Sequence, residues 1–203
     1  MPFDSVQKIA DADLPTRWGH FRILGFEGRA GEKVETAVAL VMGDVLTGSP
    51  GLSPILRIHS QCLTGDVFHS LRCDCRQQLE LALAAIADAG TGIVLYEQQE
   101  GRGIGLMAKL RAYELQDQGR DTVEANIDLG FKADHREFEL PAEILKLMGV
   151  KSVRLMTNNP EKVAALESAG IKVAERISAE VPSETTNEKY MQTKRDKMGH
   201  LVS

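Results

Sequence analysis

The sequence predicts an α/β fold: a layered α/β/α core with a mixed sheet, preceded by N-terminal antiparallel strands. After residue 55, short β-branched runs alternate with stretches of helical spacing, the pattern of an α/β core. Before residue 50 only strand-like runs occur, joined by polar or Gly-containing connections. An apolar content of 43% in 203 residues is enough for one full core, so a single domain over 1–203 is expected, with a basic tail from about 187.

The elements follow in order. Arg17–Phe26 and Thr36–Met42 read as strands flanking the polar connection Glu27–Glu35. Gly43 to Pro54 is turn-rich, and Ile55–His59 reads as a third strand. Residues 76–89 place Leu79, Leu83 and Ile86 at helical spacing, and Gly90 ends the run. Gly92–Tyr96 is a short β-branched strand, and residues 104–118 resume helical spacing up to Gly119. Asp121 and Glu124 form a capping-box pattern for a short helix. Pro141 suits the first turn of a helix ending at Gly149, and Val153–Met156 reads as a strand. Asn159 is placed as an N-cap with Pro160 at the first helical position and Gly170 beyond the last. Ile171–Val173 is a last short strand, and the tail from Asn187 to Gly199 reads as a basic helix.

Composition excludes several classes. A net charge of −5 argues against a protein that coats nucleic acid, although a local phosphate site needs only a few cations and helix N-termini. No apolar run approaches the length of a membrane span, and Met1 to Asp13 lacks the apolar stretch of a secretory signal. The three cysteines are odd in number and tightly spaced, which argues against a disulfide framework and for a reducing, cytoplasmic setting.

Those cysteines carry the chemistry. Cys62, Cys73 and Cys75 all lie within one 14-residue window, spaced Cys-x10-Cys-x-Cys. Scattered core cysteines would not cluster in this way. Three thiolates leave one position of a tetrahedral zinc open, where a water can be activated. A closed structural site with His59 or His69 as fourth ligand is the alternative, and a metal-free cluster the third reading. Asp74, between two of the cysteines, is placed to hydrogen-bond the loop.

Two strand-to-helix turns can receive phosphate. Glu97-Gln-Gln-Glu100-Gly101-Arg102-Gly-Ile-Gly105 brings three glycines to the start of a helix, without the dinucleotide G-x-G-x-x-G spacing. Thr157-Asn-Asn-Pro-Glu-Lys162 opens the second helix, where Thr157 and Lys162 can meet an anion. Taken alone, each turn also fits plain helix packing and capping. Asp134 and Arg136, two residues apart, read on their own as a surface ion pair.

His-Ser-Gln-Cys-Leu-Thr-Gly-Asp (59–66), Ser-Leu-Arg-Cys-Asp-Cys (70–75), Gln-Glu-Gly-Arg (99–102), Arg-Ala-Tyr-Glu-Leu-Gln-Asp-Gln-Gly (111–119), Asp-Thr-Val-Glu-Ala-Asn (121–126) and Met-Thr-Asn-Asn-Pro-Glu-Lys (156–162) together resemble GTP cyclohydrolase II. The resemblance runs from about Leu14 to Leu201. That family is often fused behind a dihydroxybutanone-phosphate synthase domain, which this length does not accommodate, so a monofunctional form is expected. The resemblance implies opening of the imidazole ring of GTP at C8, with release of formate and pyrophosphate. The product is 2,5-diamino-6-(5-phosphoribosylamino)pyrimidin-4(3H)-one, the first intermediate of riboflavin biosynthesis.

It further implies zinc on Cys62, Cys73 and Cys75, and magnesium with the triphosphate. Arg57, Ile58, His59, Ser60, Gln61, Gln78, Glu100, Gly101, Arg102, Thr122, Thr157 and Lys162 would bind GTP. Asp134 would be the proton acceptor, Arg136 the nucleophile at the α-phosphorus, and Tyr113 a neighbour of the zinc water and the guanine. Glu100 or Gln78 is the expected reader of the guanine edge. A homodimer is implied, with GTP as the partner and neither nucleic acid nor membrane. Members of that family often carry Glu where this chain has Gln61, which keeps the hydrogen-bond acceptor and loses the charge. A purine deaminase is the rival enzyme, but the H-x-E and P-C-x-x-C signatures are missing. A zinc-bearing nucleotide sensor is the non-catalytic rival.

Overall fold

The computed structural model describes residues 3–45, 53–131 and 135–181. They gather into two compact units. The first takes the described residues of Met1–His59, Glu80–Gln98 and Phe138–Ala179, and the second those of Ser60–Leu79, Gln99–Glu137 and Glu180–Ser203.

The first unit is built on a seven-stranded mixed sheet, which bears out the expected α/β class. In chain order its strands are β1 (Ser5–Thr16), β2 (Gly19–Ala30), β3 (Lys33–Met42), β4 (Ile55–Ser60), β5 (Gly92–Glu97), β6 (Ser152–Met156) and β7 (Lys172–Ile177). Their order across the sheet is β1-β2-β3-β5-β4-β6-β7. β1, β2, β3 and β5 pair antiparallel in succession, whereas β4–β6 and β6–β7 are parallel.

Burial follows strand position. In β2 and β3 the buried residues alternate, with Leu24, Phe26, Ala37, Ala39 and Val41 facing the core. β4 and β5 are buried along nearly their whole length, as central strands covered on both faces are. Helix α5 (Glu139–Leu147) adds Leu140, Ala142, Ile144 and Leu145 to this core. Helix α6 (Pro160–Ser168) adds Leu166, and its start is set by Asn159, whose Oδ1 accepts from Glu161 N at 2.9 Å. Pro160 stands at the first helical position, where its missing N–H costs nothing.

One strand escaped the sequence pattern. β1 is mostly exposed, so its side chains carry no apolar alternation. The turn between β2 and β3 also shrinks to Gly31 and Glu32, inside the stretch expected to be a longer connection. β7 runs to Ile177, beyond the expected Val173. The tail beyond 187 lies outside the described residues.

The second unit is helical. It holds α1 (Leu63–Asp66), the first turn of α2 (Cys75–Ala89), a tight turn over Glu100–Gly103, α3 (Leu106–Asp117) and α4 (Thr122–Asp128). The expected capping box is present: the Asp121 side chain accepts from Val123 N and Glu124 N, and Glu124 accepts from Asp121 N.

Candidate metal centre and substrate residues

The cysteine window folds into a knot of sulfur. Cys62 is the N-cap of α1, Cys75 begins α2, and Cys73 stands in the loop between them. The three Sγ atoms lie within 4.8 Å of one another, and Cys62 Sγ is 3.7 Å from Cys73 Sγ. Zinc–sulfur bonds of ~2.3 Å at tetrahedral angles set sulfur–sulfur separations of about 3.8 Å. The cluster therefore fits a tri-thiolate zinc site. Among the described residues the group contains cysteines only. His69 instead faces Arg76 Nη1 through Nε2, and His59 belongs to the first unit, stacked on Tyr96 at 5.4 Å.

The surroundings push the three thiols in different directions. Hydrogen bonds from Cys73 and Cys75, with the Lys109 ammonium beside them, hold Cys62 far below the ordinary thiol range. The bond to Cys62 pushes Cys73 up to about 11, and Cys75 rises well above its usual value for the same reason. The sulfur whose pKa is lowered is thus the one that faces the Lys109 ammonium.

Gly65 leaves room for the sulfurs because it has no side chain. A Cβ there would lie 2.9 Å from Cys73 Sγ and 3.1 Å from Cys62 Sγ. Asp74, fully buried, accepts from Gln78 Nε2 at 2.6 Å, a bond to the first turn of α2 rather than to the loop it was expected to hold.

Residues absent from the sequence reading complete the centre. Lys109 Nζ lies 3.1 Å from Cys62 Sγ, 2.9 Å from Thr64 Oγ1 and 2.8 Å from Glu100 Oε1. Burial disfavours its charge, but Cys62 and Glu100 outweigh burial and raise its pKa. Thr64 also meets Tyr113 OH at 3.2 Å, and burial raises the Tyr113 pKa. A signal was available: Lys109 and Tyr113 are four residues apart, hence on one face of α3.

Glu100 is committed inside the protein. Its Oε2 accepts from Leu63 N at 2.6 Å, and its Oε1 from Gly101 N at 2.9 Å as well as from Lys109. Gly101 and Arg102 both have left-handed φ, 63° and 62°, which for Arg102 is a strained conformation. Gly103 follows because a Cβ there would come within 3.1 Å of the His135 backbone. At this position the glycine serves internal packing.

Also in the second unit are Ser60, Gln61, Thr122 as the first residue of α4, and half-buried Arg136. Asp134 lies outside the described residues. The first unit assembles its own polar group. Arg57 Nη1 donates to Met156 O at 3.2 Å, and Lys162 Nζ donates to Ile58 O at 2.7 Å. These bonds join the end of β4 to the turn from β6 into α6, where Thr157 Oγ1 accepts from Asn159 N. Arg57, Ile58, His59, Thr157 and Lys162 are all buried there.

A family model described as GTP cyclohydrolase II matches residues 7–178. GTP cyclohydrolase-2 of Enterobacter sp. (strain 638) is 55% identical over 199 residues, covering 98% of each chain. That of Haemophilus influenzae (strain PittEE) is 53% identical, covering 97% of this chain and 89% of its own, and that of Shigella boydii is 54% identical with 98% of each covered. A solved two-domain 3,4-dihydroxy-2-butanone 4-phosphate synthase from A. baumannii matches 86% of this chain and 40% of its own, at 16% identity and a TM-score of 0.46. With its cysteine cluster inside the matched span, the chain belongs to the GTP cyclohydrolase II family of hydrolases.

Proposed function

We propose that this chain hydrolyses GTP with zinc, opening the imidazole ring at C8 and releasing formate and pyrophosphate. The product is 2,5-diamino-6-(5-phosphoribosylamino)pyrimidin-4(3H)-one, and the reaction begins riboflavin biosynthesis. The observation that carries the reading is the trio of cysteine sulfurs at zinc spacing in a chain of this family. Cys62, Cys73 and Cys75 would hold the ion, which when bound would supply a Lewis acid that lowers the pKa of water to about 7.

The other residues bind and orient. Arg57, Lys162 and the N-terminus of α6 supply positive potential for phosphate. Ile58, His59, Ser60, Gln61, Gln78, Glu100, Gly101, Arg102, Thr122 and Thr157 complete the proposed GTP-binding set. Tyr113, with its hydroxyl against Thr64, is the donor for charge that develops on the opened ring. Arg136 offsets charge on the phosphates, since a guanidinium stays protonated at ordinary pH, and Asp134 accepts a proton. Magnesium accompanies the triphosphate, bound through phosphate oxygens. The working form is a homodimer in the cytoplasm, where the three thiols stay reduced. Among the described residues no helix is long and apolar enough to cross a membrane.

The test is incubation with GTP, zinc and magnesium, following formate and the diaminopyrimidine. Wild type should release both, and Cys73→Ser should lose bound zinc and formate together. Ammonia in place of formate would assign the chain to base deamination. Tight GTP binding without turnover would make it a sensor.

A further inference from the structure

One ion pair grips three consecutive residues of the cysteine loop. Lys109 Nζ donates to Cys62 Sγ at 3.1 Å and to Thr64 Oγ1 at 2.9 Å. Between them, Leu63 N donates to Glu100 Oε2 at 2.6 Å. Lys109 and Glu100 are themselves 2.8 Å apart, with side chains only 12% and 9% exposed. A pair this sheltered is screened little by salt, so its geometry is held far more firmly than that of a surface pair. Each partner also bonds this same three-residue segment, which carries the first thiolate of the cluster, and Glu100 Oε1 accepts from Gly101 N besides. Three thiolates around a divalent cation leave a net negative charge, and the ammonium of Lys109 offsets it at the sulfur it touches. Lys109 also shares Thr64 with Tyr113, so one cation fixes both the thiolate and the hydroxyl that orients the tyrosine.

We propose that Lys109, paired with Glu100, is a positioning residue for the metal centre: it fixes the Cys62 thiolate and sets how strongly that sulfur donates to the ion. Glu100 then acts through Lys109 and Leu63, as a support of the metal loop. The proposal rests on the zinc reading above and is tested without GTP.

Zinc affinity of the full chain is measured by competition with a chromophoric chelator, and the sulfur-to-metal charge-transfer band is recorded after cobalt(II) substitution. The variants are Lys109→Met, the double variant Lys109→Met/Glu100→Gln, which strands no buried carboxylate, and Lys109→Arg. Removing an outer partner of a metal ligand weakens metal binding about 10–100-fold, and that loss is expected in both Lys109→Met proteins. The cobalt band should move to lower energy, because a thiolate relieved of a charged donor gives electrons more readily, and Lys109→Arg should recover part of both effects. Zinc affinity of the double variant within about twofold of wild type, or tighter, overturns the proposal. Weaker binding with an unmoved cobalt band also overturns it, since that marks general loosening of the loop. A wild-type chain that binds no zinc sinks the metal reading itself. Zinc bound equally by wild type and variants sinks only the role of Lys109.

Discussion

At the scale of single residues, the centre depends on an atom that is missing. Gly65 faces three cysteines, and a methyl group there would press against Cys73 Sγ at 2.9 Å and Cys62 Sγ at 3.1 Å. Both sulfurs are already fixed by α1, α2 and their mutual contacts, so neither can withdraw without spoiling the tetrahedral spacing. Gly65→Ala should therefore reduce zinc stoichiometry and affinity while far-ultraviolet circular dichroism stays that of the wild type. Full zinc occupancy measured by elemental analysis of the variant would show that the loop yields. The sequence exposed the three cysteines because their identity and spacing are the signal. It hid Gly65 and Lys109 because their roles lie in distances, and no composition rule marks a glycine or a lysine as the neighbour of a thiolate.

At the scale of elements, what the sequence made legible was local chemistry. The capping box at Asp121 and the Asn159–Pro160 start were both readable, since each is satisfied within a few residues of chain. β1 was missed because an exposed edge strand needs its neighbour's hydrogen bonds and no apolar alternation of its own. Helix α4 is only seven residues long and short helices are marginal alone, so its cap matters more than a cap on a longer helix. Asp121→Ala removes the acceptor for Val123 N and Glu124 N and should cost about 1 kcal/mol of stability in urea titration. Asp121→Asn, which keeps an acceptor, should recover most of it. Equal losses in the two variants would show that the cap contributes little.

At the scale of the whole chain, the two units differ in what can hold them together. Every member of the large buried apolar cluster, from Leu24 and Phe26 to Leu166 and Ile171, belongs to the first unit. Among the described residues, the buried apolar residues of the second unit are few and small: Cys62, Cys73, Ala112, Val123 and Ala125. Burial of apolar surface contributes roughly 25 cal/mol per Å², so alanines and cysteines supply little of it. In the proposed zinc-bound form, the free energy of metal binding would then be a large share of what orders the second unit, because ligands brought together by folding return their binding energy as stability. This asymmetry was not legible in the sequence, where 43% apolar content reads as one full core over 1–203 and nothing local says which apolar residues meet. The consequence can be measured by hydrogen exchange with and without a zinc chelator. Chelation should speed exchange in residues 62–79 and 99–117 by at least an order of magnitude, and leave β2, β3 and β5 protected as before. Unchanged exchange in the cysteine loop would mean that its hydrogen bonds, the Lys109–Glu100 pair first among them, hold it without the ion.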